Sequence, residues 1–207
     1  MALTREHVVT TAVSVLRDFG LADLSMRRLA RELEVQVGAL YWHVKNKQEL
    51  LVDVAAQLLG GIPTGSPAEQ DTTTARAAVV DLATAIRTAL VPVPDSAEVI
   101  QLAQSMQPAA LAPLTRLRDL LESAGVGAGH SAWAQHLVLN HILGSVAAEQ
   151  ERARLESMAA GDPAIPGGPP LGADAFAWGL GAILDGALPR QNHHDSAGEI
   201  VDPDAAP

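Results

Sequence analysis

The apolar residues of this chain recur at helical rather than strand spacing, and this restricts the fold more than any other property. Val9, Ala12, Val13 and Leu16 form one stripe, and Leu50, Leu51, Val54, Ala55 and Leu58 form another. Strand-formers do not cluster in alternating runs. The predicted fold class is all-α, with about nine helices in two parts. With 207 residues, 48% of them hydrophobic, the chain has enough material for a sizeable core.

Local signals divide the chain. Thr4 is placed to N-cap a first helix that runs to about Phe19, with Gly20 ending it. Ser25 caps a second helix that ends near Leu33, with Leu24 and Leu29 as a hydrophobic staple. A tight turn at Glu34 and Val35 leads into a short third helix, from about Gln36 to His43. Asn46 caps a fourth, with Glu49 in capping-box position. Gly60 and Gly61 end it, and GGIPTGSPAEQDTTT reads as a linker. Further helices are predicted at 72–90, 96–106, 109–124, 130–156 and 172–188. The expected division is 1–58 for the head, 59–190 for a larger core and 191–207 for a disordered tail. The Pro/Gly-rich stretch 159–172 is expected to be a mobile loop.

Several classes are set aside. There is no cysteine, which removes disulfides and thiolate metal sites. No run reaches the roughly 18 apolar residues a membrane helix needs, and MALTREHVV lacks the apolar stretch of a signal peptide. A soluble, cytoplasmic protein is the expectation. No nucleophile–base motif or phosphate loop is visible, so an enzyme is not expected, nor is a cofactor or a metal site.

The net charge of −10 argues against a polyanion partner until its distribution is read. Residues 1–56 hold seven basic and seven acidic residues, and the remainder holds seven basic and seventeen acidic. Between Met26 and Lys47 five basic residues face two acidic ones. Only the N-terminal end is electrostatically suited to nucleic acid.

Two short helices around a tight turn make a helix-turn-helix, with the third helix as the reader of the major groove. Gln36, Val37, Gly38 and Ala39 would face base edges. Gln36 supplies hydrogen-bonding capacity, and Val37 and Ala39 suit thymine methyl groups. Tyr41 and His43 can reach phosphate or bases with their polar tips; for His43 a mere capping role is the competing reading. Trp42, between them, is expected to pack inward as the wedge that holds the third helix. Lys47, in the first turn of the fourth helix, would meet a phosphate together with free backbone N–H groups. Arg27 and Arg28 have the same opportunity at the second helix, while Arg31 reads as a solvated face.

These residues carry a resemblance. The first 58 or so residues resemble the N-terminal domain of the TetR family of repressors, and LYWHVKNK (40–47) is similar to the tetracycline-repressor branch. SAWAQHLVLNHILGSVAAEQERA (131–153) resembles that branch's pocket-and-dimer helix. The resemblance implies an all-helical homodimer that binds double-stranded operator DNA and is released by a small-molecule effector. By matching positions it implies DNA contacts at Arg27, Tyr41, His43 and Lys47. Met26, Val37, Gly38 and Ala39 occupy base-facing positions but depart from the branch, so a different operator is expected. Glu34 stands where glycine usually makes the turn, which predicts a strained or altered turn.

Trp133, His136, Leu137 and Asn140 share one helix face, which fits ordinary packing. The resemblance implies that they line an effector pocket. Trp178 fits either that pocket or the dimer seam. Asn140, Gly144 and Ala148 form a small-residue strip suited to a close helix crossing. The branch binds its drug as a magnesium chelate through histidines that are missing here, in SAEVIQLAQ (96–104) and LLGGIP. Glu149 matches an acid near that metal, but alone it is a weak ligand. Magnesium–tetracycline binding is therefore not expected. His193 and His194 read as tail residues. Altogether a ligand-responsive repressor is predicted; the alternative is an all-α small-molecule binding protein whose head does not read DNA.

Overall fold

The computed structural model describes residues 3–65, 72–158 and 172–188. The expected tail, with His193 and His194, and the expected mobile loop before Gly172 lie outside these residues. The described residues are helical, with no strand among them.

Four helices make the head. Helix α1 (Arg5–Asp23) starts where Thr4 Oγ1 accepts from His7 N–H at 3.1 Å. Such a cap is worth about 1 kcal/mol. Gly20, at φ 77, breaks the helix where the sequence placed its end, and Leu21–Asp23 add a further turn. Helix α2 (Met26–Glu32) is capped by Ser25, and α4 (Lys47–Leu59) by Asn46, whose Oδ1 accepts from Glu49 N–H at 2.8 Å. Between them α3 (Val37–Leu40) is a single turn, shorter than the expected Gln36–His43. The chain leaves it in tight turns, with His43 N–H donating to Leu40 O at 2.9 Å. Leu16, Leu24, Leu29, Leu40 and Val44 are buried together with Val8, Ala12 and Val54. Truncating one of these leucines to alanine costs about 2–5 kcal/mol.

Among the described residues, five helices make the core: α5 (Thr72–Leu90), α6 (Ser96–Met106), α7 (Ala112–Ser123), α8 (Ser131–Met158) and α9 (Ala173–Ala187). Helix α7 starts three residues later than expected. A 3₁₀ turn, Pro108–Ala110, precedes it, and Pro113 sits in its first turn, where a missing N–H costs nothing. Helix α5 packs on α7 and α8, and α8 on α7 and α9. Helix α6 lies along α4, so head and core share one continuous apolar cluster from Val8 to Leu184.

Among the described residues, two other than glycine have left-handed backbone, Glu34 (φ 56) and Asp95 (φ 57). Each such residue costs on the order of 1–2 kcal/mol unless its surroundings hold it. At Glu34 the turn is closed by Val35 N–H to Ala30 O at 2.9 Å and Glu34 N–H to Arg31 O at 3.2 Å.

Candidate nucleic-acid interface

The turns after α3 decide what the head presents. Leu40 and Val44 both point inward, being 0% and 1% exposed. Trp42 lies midway between them and so projects to the opposite side, 89% exposed. The expected inward wedge is therefore wrong: Leu40 and Val44 do that work, and the tryptophan is free. Tyr41 beside it is half exposed, and His43 is partly covered. Gln36 and Gly38 are exposed, while Val37, Ala39 and Met26 are half-buried with Val37 and Met26 packed against the core.

Lys47 is the first residue of α4, beside Asn46 and below exposed Lys45. A residue that sequence reasoning passed over fixes this end. Arg5, at the start of α1, is paired with Asp53 at 2.7 Å and Glu49 at 2.8 Å, and donates to the His43 carbonyl at 3.2 Å. Hydrogen bonding to Asp53 raises its pKa further. Glu49 Oε2 accepts from Lys45 N–H at 3.0 Å. That bond, with Arg5 second, holds the Glu49 carboxyl below the usual carboxylate range. The one acid at the start of α4 is thus neutralised, which preserves an anion-friendly helix end. The signal for Arg5 in the sequence was only its place in the first helical turn, and its three partners are 38 to 48 residues away.

Arg27 is exposed at the start of α2. Arg28 is not available as expected. Its guanidinium lies 3.6 Å from the Phe19 ring centroid and pairs with Asp23 at 3.1 Å and Glu32 at 3.5 Å. Its position three residues past the Ser25 cap turns it back toward α1 instead of toward solvent.

The core presents a different picture. Ala134, Val138, Leu139, Ile142 and Val146 take the inward face of α8. Trp133 (72% exposed), His136, Leu137 and Asn140 do share a face, as their spacing requires, but it is the outer one. Their side chains therefore face away from this chain's own core. With Gly144 they continue a stripe spaced by four and three residues, the repeat that suits helix pairing. Trp178 of α9 is 79% exposed.

Inside, α5, α8 and α9 enclose a polar seam. Arg87 is nine-tenths buried and forms an ion pair with Glu149. Phe176 lies between them and His141: its ring stacks on the imidazole at 5.0 Å, with the Arg87 guanidinium 5.4 Å from its centroid. His141 Nε2 lies 2.9 Å from the Phe176 carbonyl oxygen. Arg87 Nε and Gln104 Oε1 are buried without a hydrogen-bond partner. Glu149, matched to an acid near a metal by resemblance, here neutralises an arginine. Arg87 was missed, although its place among Ala83, Ile86 and Leu90 put an arginine on an apolar face. Among the described residues no three His, Asp or Glu side chains gather as a metal site. An open groove of 590 Å³ separates Leu58–Pro63 from the outer side of α5.

A short-helix head with an exposed, partly cationic tip, set on a larger helical core, defines the two-part helix-turn-helix regulators. Comparison makes this specific. Residues 8–54 match the family model described as bacterial regulatory proteins, tetR family, and residues 66–166 match that of the tetracyclin repressor-like C-terminal domain. The chain belongs to the tetR family of transcriptional regulators. It is 34% identical to the tetracycline repressor protein class C of Escherichia coli, over 72% of this chain and 67% of that protein. Among solved structures it is similar to BioQ with its double-stranded DNA operator, with TM-score 0.71 and 31% identity, covering 90% of this chain and 98% of that one. It is also similar to ActR of Streptomyces coelicolor in complex with (S)-DNPA, with TM-score 0.72 and 26% identity over 90% and 98%. No helix among the described residues is long and apolar enough to cross a membrane.

Proposed function

We propose that this chain is a cytoplasmic, non-enzymatic repressor that binds operator DNA as a homodimer and is released by a small, largely apolar effector. The observation that carries the DNA reading is the shared exposure of Gln36, Tyr41, Trp42 and Arg27 at the tip built around Lys47. Residues 1–58 act as the reading head. Gln36, Val37, Gly38 and Ala39 meet base edges, with Met26 beside them. Arg27, Tyr41, His43 and Lys47 hold phosphates, and Trp42 joins them at the backbone. Arg28 instead secures α2 to α1.

Residues 59–190 form the effector and dimer part. The outer stripe of Trp133, Leu137, Asn140 and Gly144, with Trp178 of α9, is the seam for a second copy; two exposed tryptophans are costly to leave in water. The seam places two recognition helices about 34–36 Å apart on one face of a duplex. The relatives that bind operator DNA and a small molecule support both halves of this reading. An effector entering beside Arg87, Phe176 and Glu149 favours one dimer shape by its differential affinity. The alternative, a binding protein with a silent head, drew on Glu34. The turn there is closed by two backbone hydrogen bonds, which favours the reading head.

A mobility-shift titration with duplex DNA from upstream of the chain's own coding region tests the proposal. Binding at low salt that weakens steeply as salt rises is expected. No shift at any salt would leave the silent-head alternative.

A further inference from the structure

Asp95 stands at the N-cap of α6, yet its carboxylate caps nothing on its own helix. Its Oδ2 instead crosses to the head and accepts from Leu21 N–H at 2.7 Å. A capping aspartate ordinarily has extended backbone and accepts from the second or third N–H of its helix. Here the backbone is left-handed, φ 57 and ψ 11. On the head side Gly20, also at positive φ, allows the approach: a Cβ there would lie 2.7 Å from the same Oδ2. A left-handed aspartate in the core and a positive-φ glycine in the head, a conformation glycine adopts freely, therefore adjoin a single hydrogen bond.

The corner that carries Asp95 is gripped from α8. Gln150 Nε2 lies 2.7 Å from Val93 O, 3.1 Å from Leu90 O, 3.2 Å from Val91 O and 3.3 Å from Ser96 Oγ. Ser96 Oγ in turn donates to Leu90 O at 2.8 Å. The preceding residue on α8, Glu149, holds Arg87 one turn before the corner. One short segment of α8 thus fixes both the end of α5 and the start of α6.

We infer that Asp95 is a positioning residue for the DNA-reading head, a latch with two resting arrangements. In the arrangement described, its carboxylate holds Leu21 N–H and seats the head on the core. In the other, Asp95 relaxes to extended backbone, caps Ala97 and Glu98 N–H of its own helix, and frees the head. A shift of α8 at Gln150 selects between them. This latch rests on the DNA-reading function proposed above and regulates that same site. A seated head binds duplex without first being ordered, so release weakens binding.

The test uses the full chain, its upstream duplex, and Asp95→Ala, Asp95→Asn and Gln150→Ala. Amide hydrogen exchange at Leu21 should rise about tenfold in Asp95→Ala. Duplex affinity should fall about tenfold with the salt slope unchanged, because no phosphate contact is lost. Asparagine keeps an acceptor oxygen and tolerates left-handed backbone, so it should restore both readouts to within about twofold. Gln150→Ala, remote from the head, should also speed exchange at Leu21. Unchanged Leu21 exchange in Asp95→Ala overturns the latch, as does faster exchange with wild-type duplex affinity. If the unmodified chain shifts no duplex, the DNA reading fails by itself. The Gln150→Ala exchange then decides the latch: faster supports it, unchanged overturns it.

Discussion

The head and the outer face of α8 and α9 both leave large aromatic residues in water, but they do so in different settings. Around Trp42 the neighbours are polar or cationic: Tyr41, His43, Lys45 and Lys47. Around Trp133 and Trp178 they are His130, His136, Leu137, Asn140, Gly144 and several exposed alanines, with no lysine or arginine among them. The first setting suits a polyanion, where affinity is electrostatic and falls with salt. The second suits another helix, where affinity comes from buried apolar area and barely responds to salt. Exposure alone therefore does not identify a partner; the charge beside it does.

The comparison breaks most readily at the outer face. Trp178→Glu should leave the chain monomeric in sedimentation at micromolar concentration and abolish cooperative duplex binding; an intact dimer would remove this face from consideration. Next in size, Lys47→Ala should weaken binding to every duplex and lower the slope of log affinity against log salt by about one. Arg5→Ala should lower stability by about 1 kcal/mol, modest because the pair is half exposed. Thermal unfolding would read it, and a loss of duplex affinity larger than that stability change would show that Arg5 also orders the His43 turn.

Glu49 supplies a smaller, signed effect. Its folded pKa lies below the usual value, so the stability it contributes is present above that value and is lost as pH falls through the folded one. Acid unfolding of Glu49→Gln should accordingly show a shallower pH dependence in that range than the parent chain. The smallest effect is expected at Arg28→Ala, where duplex affinity should change less than about threefold with an unaltered salt slope. A slope change would mean that the guanidinium leaves Phe19 when DNA arrives.

What was legible in the sequence was local. Thr4, Ser25 and Asn46 cap the helices they were expected to cap, and the helices at 72–90 and 96–106 have the expected bounds. Caps and periodicity act over three or four residues, so a linear reading captures them. The errors concern direction. Helix α8 is apolar on two sides, and spacing groups Trp133 with Leu137 without saying which side meets the core. Its place between Tyr41 and His43 suggests an inward Trp42, whereas the register of buried Leu40 and Val44 turns it outward. The bonds of Arg5, Asp95 and Gln150 span 38 to 74 residues, and no local pattern announces them.

All three tryptophans of the chain are exposed, Trp42 on the surface assigned to DNA and Trp133 and Trp178 on the seam assigned to a second copy. The protein therefore carries its own optical reporters. Ultraviolet emission of an isolated protomer should resemble that of indole in water, move to shorter wavelength when the seam closes, and be quenched further when bases approach position 42. Replacing one ring at a time would separate assembly from DNA capture without attaching any dye.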